Sequence, residues 1–340
     1  GQEFNPETYA IAKADMLIKG GNASGMKFGD TLSDDAFSGY EFDYIISNPP
    51  FGIDWKREKA QVENEAKRGF DGRFGPGLPA ISDGQMLFML NGVKKLKEGS
   101  GRMAIIQNGS SLFTGDAGSG ASEIRRYVIE GDLVEAIIQL PTDLFYNTGI
   151  STYIWVLTKG KAMYRSGKVQ LIDASKCFVK RRKNIGSKRV DLDDACIDLI
   201  LRAYEKFSNE TYEENGLVVE SKVFDNSFFG FTKVTVETAQ ADKDGKFILK
   251  KGKKQPVKGA SDTEIIPLSE DSEAYMKKNV LPYNPLAYID PAKDKIGYEV
   301  PFTRLFYKFE APASSDSIFE EIKALEAEET ILMKELFGHA

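Results

Sequence analysis

Across residues 1–175, segments of helical periodicity alternate with short apolar runs that end in turn residues. A chain patterned this way buries its strands between helices, so the alternation predicts an α/β fold built on a largely parallel sheet. Tyr9, Ala12, Met16 and Leu17 mark a helix over 5–19, stopped by Gly20 and Gly21. Strands are expected at 26–29 and 42–47. Met86, Leu87, Met89, Leu90, Val93 and Leu96 form one face of a helix over 83–96. Buried strands follow at 103–106, 133–140 and 152–158, the last rich in β-branched and aromatic residues. Between 52 and 82 the periodicity vanishes among glycines and charges, which predicts a loop that is either functional or disordered.

The second half has a different character. A basic run (Lys180, Arg181, Arg182, Lys183, Lys188, Arg189) precedes a helix near 193–207. A hairpin is expected from 235–237 and 247–249 flanking a turn at 242–245, with lysines at 250, 251, 253, 254 and 258 beyond it. Ile318, Ile322, Leu325, Leu332 and Leu336 give the final helix, 317–337, a coiled-coil-like seam broken once at Glu329. The expected division is a catalytic domain over 1–175, an extension with helix and hairpin over 176–316, and the seam-bearing helix over 317–338.

Composition narrows the chemistry. Two cysteines, Cys177 and Cys196, are too few for a disulfide framework or zinc cluster and suit a reducing cytoplasm. The single histidine, His339, argues against histidine catalysis and histidine metal sites, and no metal is expected. No stretch has the roughly 18 apolar residues of a membrane span. With a formal charge of −6, contact with nucleic acid has to come from local basic patches. Both basic runs are candidates for phosphate contact, although solvated loops are the commoner explanation of such runs.

Asn48-Pro49-Pro50-Phe51 directly follows the apolar run 42–47 and carries the most chemistry. The lone pair of an exocyclic amine is delocalised into its ring, which makes it a poor nucleophile. Two acceptors aimed at the amino hydrogens, the Asn48 side-chain oxygen and the Pro49 carbonyl, can localise that pair and fix its direction. The two prolines hold the carbonyl in place. Phe51 offers a face for a base swung out of its duplex. The bland alternative is a rigid turn with a buried Phe.

The tetrapeptide resembles the NPP-aromatic motif of amino-group methyltransferases, and further stretches resemble the modification subunit of type I DNA restriction-modification systems. Gly1-Gln2-Glu3 followed by Asn5-Pro6-Glu7-Thr8-Tyr9 is similar to that family's second-strand end, where Glu3 would take the ribose hydroxyls of S-adenosylmethionine. Gly29-Asp30-Thr31-Leu32 resembles its third motif, so Asp30 would accept from the cofactor's adenine amine, and Asn48 also borders that cofactor. Taken alone, a helix-entry Glu and a turn Asp are ordinary structural residues. The stretch 144–149, leading into 152–156, resembles the late motif that holds the target base, which makes Phe145 a second stacking partner or simply a core aromatic. Arg73-Phe74-Gly75 resembles the lid after the catalytic motif, with a solvated loop as the alternative. The segments 295–304 and 306–308 resemble the end of type I subunits, and the helix after them resembles the part that packs on the specificity subunit.

The resemblance implies a Rossmann-like S-adenosylmethionine-dependent methyltransferase sheet with a C-terminal extension ending in a long helix. It implies N6-adenine methylation of DNA by Asn48, Pro49, Pro50 and Phe51, with a specificity subunit as partner and a restriction subunit as an optional further one. The family's first motif, an acid before a glycine-rich turn, does not occur in the sequence. The stretch therefore reads as a fragment lacking the first strand, expected to bind the cofactor weakly or not at all and to be inactive alone. Protein glutamine or RNA amine methylation, and a non-catalytic interaction subunit, are the competing readings.

Overall fold

The computed structural model describes residues 1–243, 245–309 and 312–338; His339 lies outside them. Two compact units form, Gly1–Phe302 and Thr303–Ala340. The first is built on a seven-stranded sheet in the order Glu210–Glu214, Leu217–Asp225, Lys168–Lys176, Val134–Gln139, Thr152–Thr158, Arg102–Asn108, Tyr44–Ser47. Five strands run one way. Thr152–Thr158 and Leu217–Asp225 run against them, so the sheet is largely parallel, as expected, with two strands reversed. Two of the strands come from beyond residue 176. Trp155, central in the sheet, is fully buried, and its indole N–H donates to Ser111 Oγ at 3.2 Å. The helices Gln85–Lys94 and Gly120–Glu130 bury Leu87, Met89 and Leu90, and Ile124, Val128 and Ile129.

Tyr44–Ser47 closes one edge of the sheet. Its Tyr44 and Ile46 side chains are 79% and 90% exposed, so one face of this strand is uncovered among the described residues. Beside it, outside the main sheet, Gln2–Glu3 pairs in parallel with Lys27–Phe28. The helix Pro6–Ile18 starts at an Asn5 cap whose Oδ1 accepts from the Glu7 and Thr8 amides at 2.9 and 3.0 Å.

Two expectations are corrected. Residues 52–82 are not structureless: they contain the helix Lys59–Ala66 and a 3₁₀ turn at Gly69–Asp71. Trp55, Val62 and Phe74 from this segment are buried. A helix of two turns that buries a single side chain leaves no period to read. The second correction concerns the hairpin. Its turn forms, with Ala241 bridging Phe247, but the strand Gly230–Ala239 pairs with Pro256–Pro267, and 249–250 pairs instead with 253–254. The turn fixed the local reversal, while burial of Val234 and Ile266 chose the long-range partner.

The segment 295–302 folds back onto the first 175 residues. Arg125, fully buried, donates to the carbonyls of Tyr298, Ser111 and Thr114 at 2.5, 3.2 and 3.0 Å. The Tyr298 amide donates to Ser122 Oγ, and the Phe302 ring meets Tyr153 edge-on at 5.2 Å. In the second unit, Ser315–Phe337 is a single helix with no buried residue.

Candidate active site

Asn48 follows the last residue of Tyr44–Ser47, at the carboxyl end of a strand that runs parallel to Arg102–Asn108, where open α/β sheets place their ligands. The Asn48 side chain is exposed and Pro49 is buried. Among the described residues neither the Asn48 amide nor the Pro49 carbonyl has a hydrogen-bond partner. Both oxygens are free to accept. Phe51 is half-buried, and Gly52 then takes φ +71°, a left-handed conformation that costs glycine nothing.

A polar knot holds the loop behind them. Asp83 Oδ1 accepts from the Gly52 amide at 3.2 Å, and Asp83 Oδ2 accepts from Gln85 Nε2 and Ser110 Oγ at 2.6 and 2.8 Å. Gln85 in turn accepts from the Asn108 amide at 3.0 Å. The knot therefore ties the turn after Phe51 to the ends of a core helix and a core strand. Further along, Trp55 donates from its indole to Ala80 O and from its amide to Ile81 O.

The Gln2–Glu3 and Lys27–Phe28 pair brings Glu3 and Asp30 to the same place. The Gly29 amide donates to Glu3 O at 3.0 Å, and Gly29 has φ +143°. Asp30 Oδ1 caps its own turn by accepting from the Leu32 and Ser33 amides, and Glu3 Oε1 accepts from the Asn5 amide. Each carboxylate thus also has the ordinary structural role.

A cleft of about 730 Å³ gathers Glu3, Asp30, Asn48, Pro49 and Pro50 with Glu58 along its wall. Phe51 and Phe145 are not part of that lining. Phe145, half-buried, sits in the loop before Thr152–Thr158 and bridges Thr148.

Arg73 is neither a lid tip nor a solvated loop residue. It is 7% exposed, and its guanidinium uses its whole fork. It donates to both Glu65 carboxylate oxygens at 2.8 and 2.6 Å, to Asn91 Oδ1 at 3.0 Å, and to the Thr31 and Leu32 carbonyls at 2.6 and 3.1 Å. The side chain clamps the segment that follows Phe51 onto the turn that presents Asp30. Beside it Lys95 pairs with Asp35 at 2.7 Å.

The carboxyls respond differently to this environment. Burial alone would raise Glu65, but the bonds from Arg73 more than offset it, and its pKa lies below the usual glutamate range. Glu58 moves the other way, raised by burial and by its contact with the Asp30 carboxyl. The folded state therefore holds the Glu58 proton more tightly than the unfolded chain does. Stability falls as pH climbs from the usual glutamate range through the raised value. Glu58→Gln is accordingly expected to raise Tm at neutral pH and to leave it unchanged in acid, where both side chains are uncharged, as thermal melts at the two pH values would show.

The sequence model of the family described as N-6 DNA Methylase matches residues 1–244, more than two thirds of the chain. This chain belongs to the N-6 DNA methylase family. It is 29% identical over 188 residues to the type I restriction enzyme MjaIX methylase subunit of Methanocaldococcus jannaschii, covering 54% of this chain and 32% of that protein. Against the HindI methylase subunit of Haemophilus influenzae it is 28% identical over 251 residues, 72% of this chain and 53% of the other. The crystal structure of the type I restriction-modification system methyltransferase subunit from Streptococcus thermophilus superposes with a TM-score of 0.55 at 27% identity, over 67% of this chain and 45% of that one. The chain spans less than two thirds of the length of each of these relatives. The Rossmann-like methyltransferase sheet expected from the motifs is the fold this N-6 DNA methylase shares with that subunit.

Sequence reasoning missed Asp83, Gln85 and Glu58. The polar pair Asp83 and Gln85 at the head of an otherwise apolar helical face was the available signal, since polar groups entering a core have to be satisfied there. Nothing local marks Glu58, whose surroundings come from Asp30, 28 residues earlier.

Proposed function

We propose that this N-6 DNA methylase chain carries catalytic machinery for methylating the N6 amine of adenine in DNA, as part of a type I modification subunit using S-adenosylmethionine. The observation that carries the reading is the pair of unpartnered oxygens, Asn48 Oδ1 and Pro49 O, bordering a cleft that also presents the carboxylates of Glu3 and Asp30.

The donor set fits the nucleoside half of the cofactor. Glu3 and Asp30 present acceptors to a ligand whose ribose hydroxyls and adenine amine are donors. Glu58, raised by burial and by its contact with Asp30, adds a third carboxyl to this wall. S-adenosylmethionine held there supplies an electrophilic methyl group on a sulfonium. Asn48 and Pro49 accept the two amino hydrogens of the target adenine and turn its nitrogen lone pair out of conjugation and toward that methyl. The knot around Asp83 keeps the loop rigid, so the two acceptors need not be reorganised during the reaction. Phe51 and Phe145 stack the extruded base.

Sequence selection falls to a specificity subunit, with a restriction subunit as a further partner. The apolar seam of Ser315–Phe337 is the surface offered to the specificity subunit; Leu325 and Leu332 on it are 59% and 50% exposed. The test is nucleoside mass spectrometry of duplex DNA after incubation of the assembled enzyme with isotopically labelled S-adenosylmethionine. Label is expected in N6-methyladenine. Label in methylated cytosine, RNA or protein glutamine overturns the reading.

A further inference from the structure

The strands Val179–Ile185 and Lys188–Asp191 form an antiparallel ribbon of their own, separate from the central sheet. Over residues 179–191 it holds six cations and one acid, Asp191, a balance of +5 within a chain of net −6. Asp191 pairs with Arg181 and, at 2.9 Å, with Lys188. Lys180, Arg182, Lys183 and Arg189 are exposed and have no carboxylate partner among the described residues.

This ribbon is fixed to the loop that carries Phe145. The Ser187 amide donates to Tyr146 O at 3.0 Å, and the Arg189 and Val190 amides donate to Asp143 O at 2.8 and 3.4 Å. The Lys188 ammonium lies 5.2 Å over the Tyr146 ring. At the ribbon's turn Gly186 has φ +58°, and a Cβ there would stand 2.7 Å from Tyr146 O, so only glycine permits this approach. Asp143 itself is held at φ +57°. Ribbon and loop are therefore one piece, and any polyanion gripped by the ribbon is placed beside Phe145.

We propose that this ribbon is a phosphate-contacting surface that seats the backbone of duplex DNA next to the target-base loop. The proposal rests on the methyltransferase reading and adds to it where the duplex lies. The composition favours a polyanion over a protein partner. Ile185 is the one large apolar side chain the ribbon exposes, whereas the centre of a protein interface is depleted of lysine and built on apolar and aromatic groups. Contacts of this kind position the duplex without reading its sequence. Among the described residues the second lysine-rich hairpin, 249–254, has no such attachment to that loop, and it lies outside the stretch matched by the family.

Cofactor-free binding of a fluorescently labelled duplex, followed by anisotropy between about 50 and 200 mM salt, tests this, because each lost phosphate contact lowers the slope of log K against log salt by about 0.9. The double variant Arg182→Gln with Lys183→Gln is expected to lower that slope by about 2, with an unchanged far-UV spectrum. Lys250→Gln with Lys251→Gln is expected to change it by less than half as much. Four outcomes overturn the proposal: no duplex binding by the parent chain, an unchanged slope in the ribbon variant, equal losses in both double variants, or competition by polyglutamate as strong as that by duplex. The assay needs neither cofactor nor methyl transfer, so failure of the methyl-transfer reading shows separately, as an assembled parent enzyme that binds duplex and makes no N6-methyladenine.

Discussion

Asn48→Ala is expected to lower the rate of methyl transfer to adenine by about 10²–10³-fold while duplex affinity stays as it was. The size follows from what the side chain does. In the proposed reaction it is one of two acceptors that draw the amino nitrogen toward a tetrahedral geometry, and a preorganised polar group of this kind contributes about 3–4 kcal/mol to the transition state. Alanine removes the acceptor and leaves the Pro49 carbonyl, so catalysis falls without vanishing. The Asn48 side chain is exposed and makes no hydrogen bond within the described chain, so its removal costs the fold little. Asn48→Asp keeps an acceptor oxygen but no amide, and is expected to fall between parent and alanine. Single-turnover rates separate this effect from product release. A loss confined to KM would contradict the assigned role, because it would mean that Asn48 binds the ground state and the transition state equally.

Arg73→Ala is expected to lower the free energy of unfolding by about 3–5 kcal/mol, the usual result of removing one member of a buried ion pair. The estimate draws on what is left behind. Glu65 loses the two bonds from the Arg73 side chain and keeps the one from the residue-73 amide, while the Thr31 and Leu32 carbonyls lose their donor. Lysine is not a substitute, since a single ammonium cannot span the carboxylate and two carbonyls that the guanidinium fork reaches at once. Urea denaturation of both variants measures this, with Arg73→Lys expected to recover less than half of the loss. A pH signature accompanies it. The Glu65 pKa is depressed in the folded chain, so its contribution is complete above the usual glutamate range and disappears as pH falls through the depressed value. In the alanine variant that acid-dependent loss is expected to shrink, since the residue-73 amide and Arg68 remain beside Glu65. Arg73 anchors the turn beside Asp30, so cofactor affinity should weaken as well, even in a variant that remains folded.

The parts of the molecule visible in the sequence were those whose signal is local. The run 42–47 ending in Asn48-Pro49-Pro50-Phe51 announces a strand and a rigid loop, and the strand 152–158 matches its expected bounds. The long terminal helix is equally plain in its spacing. What escaped detection depends on partners far away in the chain. Arg73 reads as a solvated charge among glycines, and only the fold brings Thr31, 42 residues away, under its guanidinium. The contact between Arg125 and Tyr298 spans 173 residues, and no motif announces it. The strand 230–239 carries a good local turn signal after it yet pairs with a more distant segment, because burying Val234 and Val236 with Ile266 outweighs one tight turn. At the site, the acceptors were legible by their chemistry and the Asp83–Gln85 knot was not, since its members become neighbours only when a helix head meets a strand end. The two basic runs looked alike in composition; their attachments separate them.

The most direct test of the central claim is a structure of the assembled enzyme with a non-reactive cofactor analogue and duplex DNA containing its target adenine. The extruded base is expected to place its exocyclic nitrogen within hydrogen-bonding distance, about 3 Å, of both Asn48 Oδ1 and Pro49 O. An adenine still stacked in the duplex, or an amino group meeting other partners while those two oxygens face water, would contradict the account.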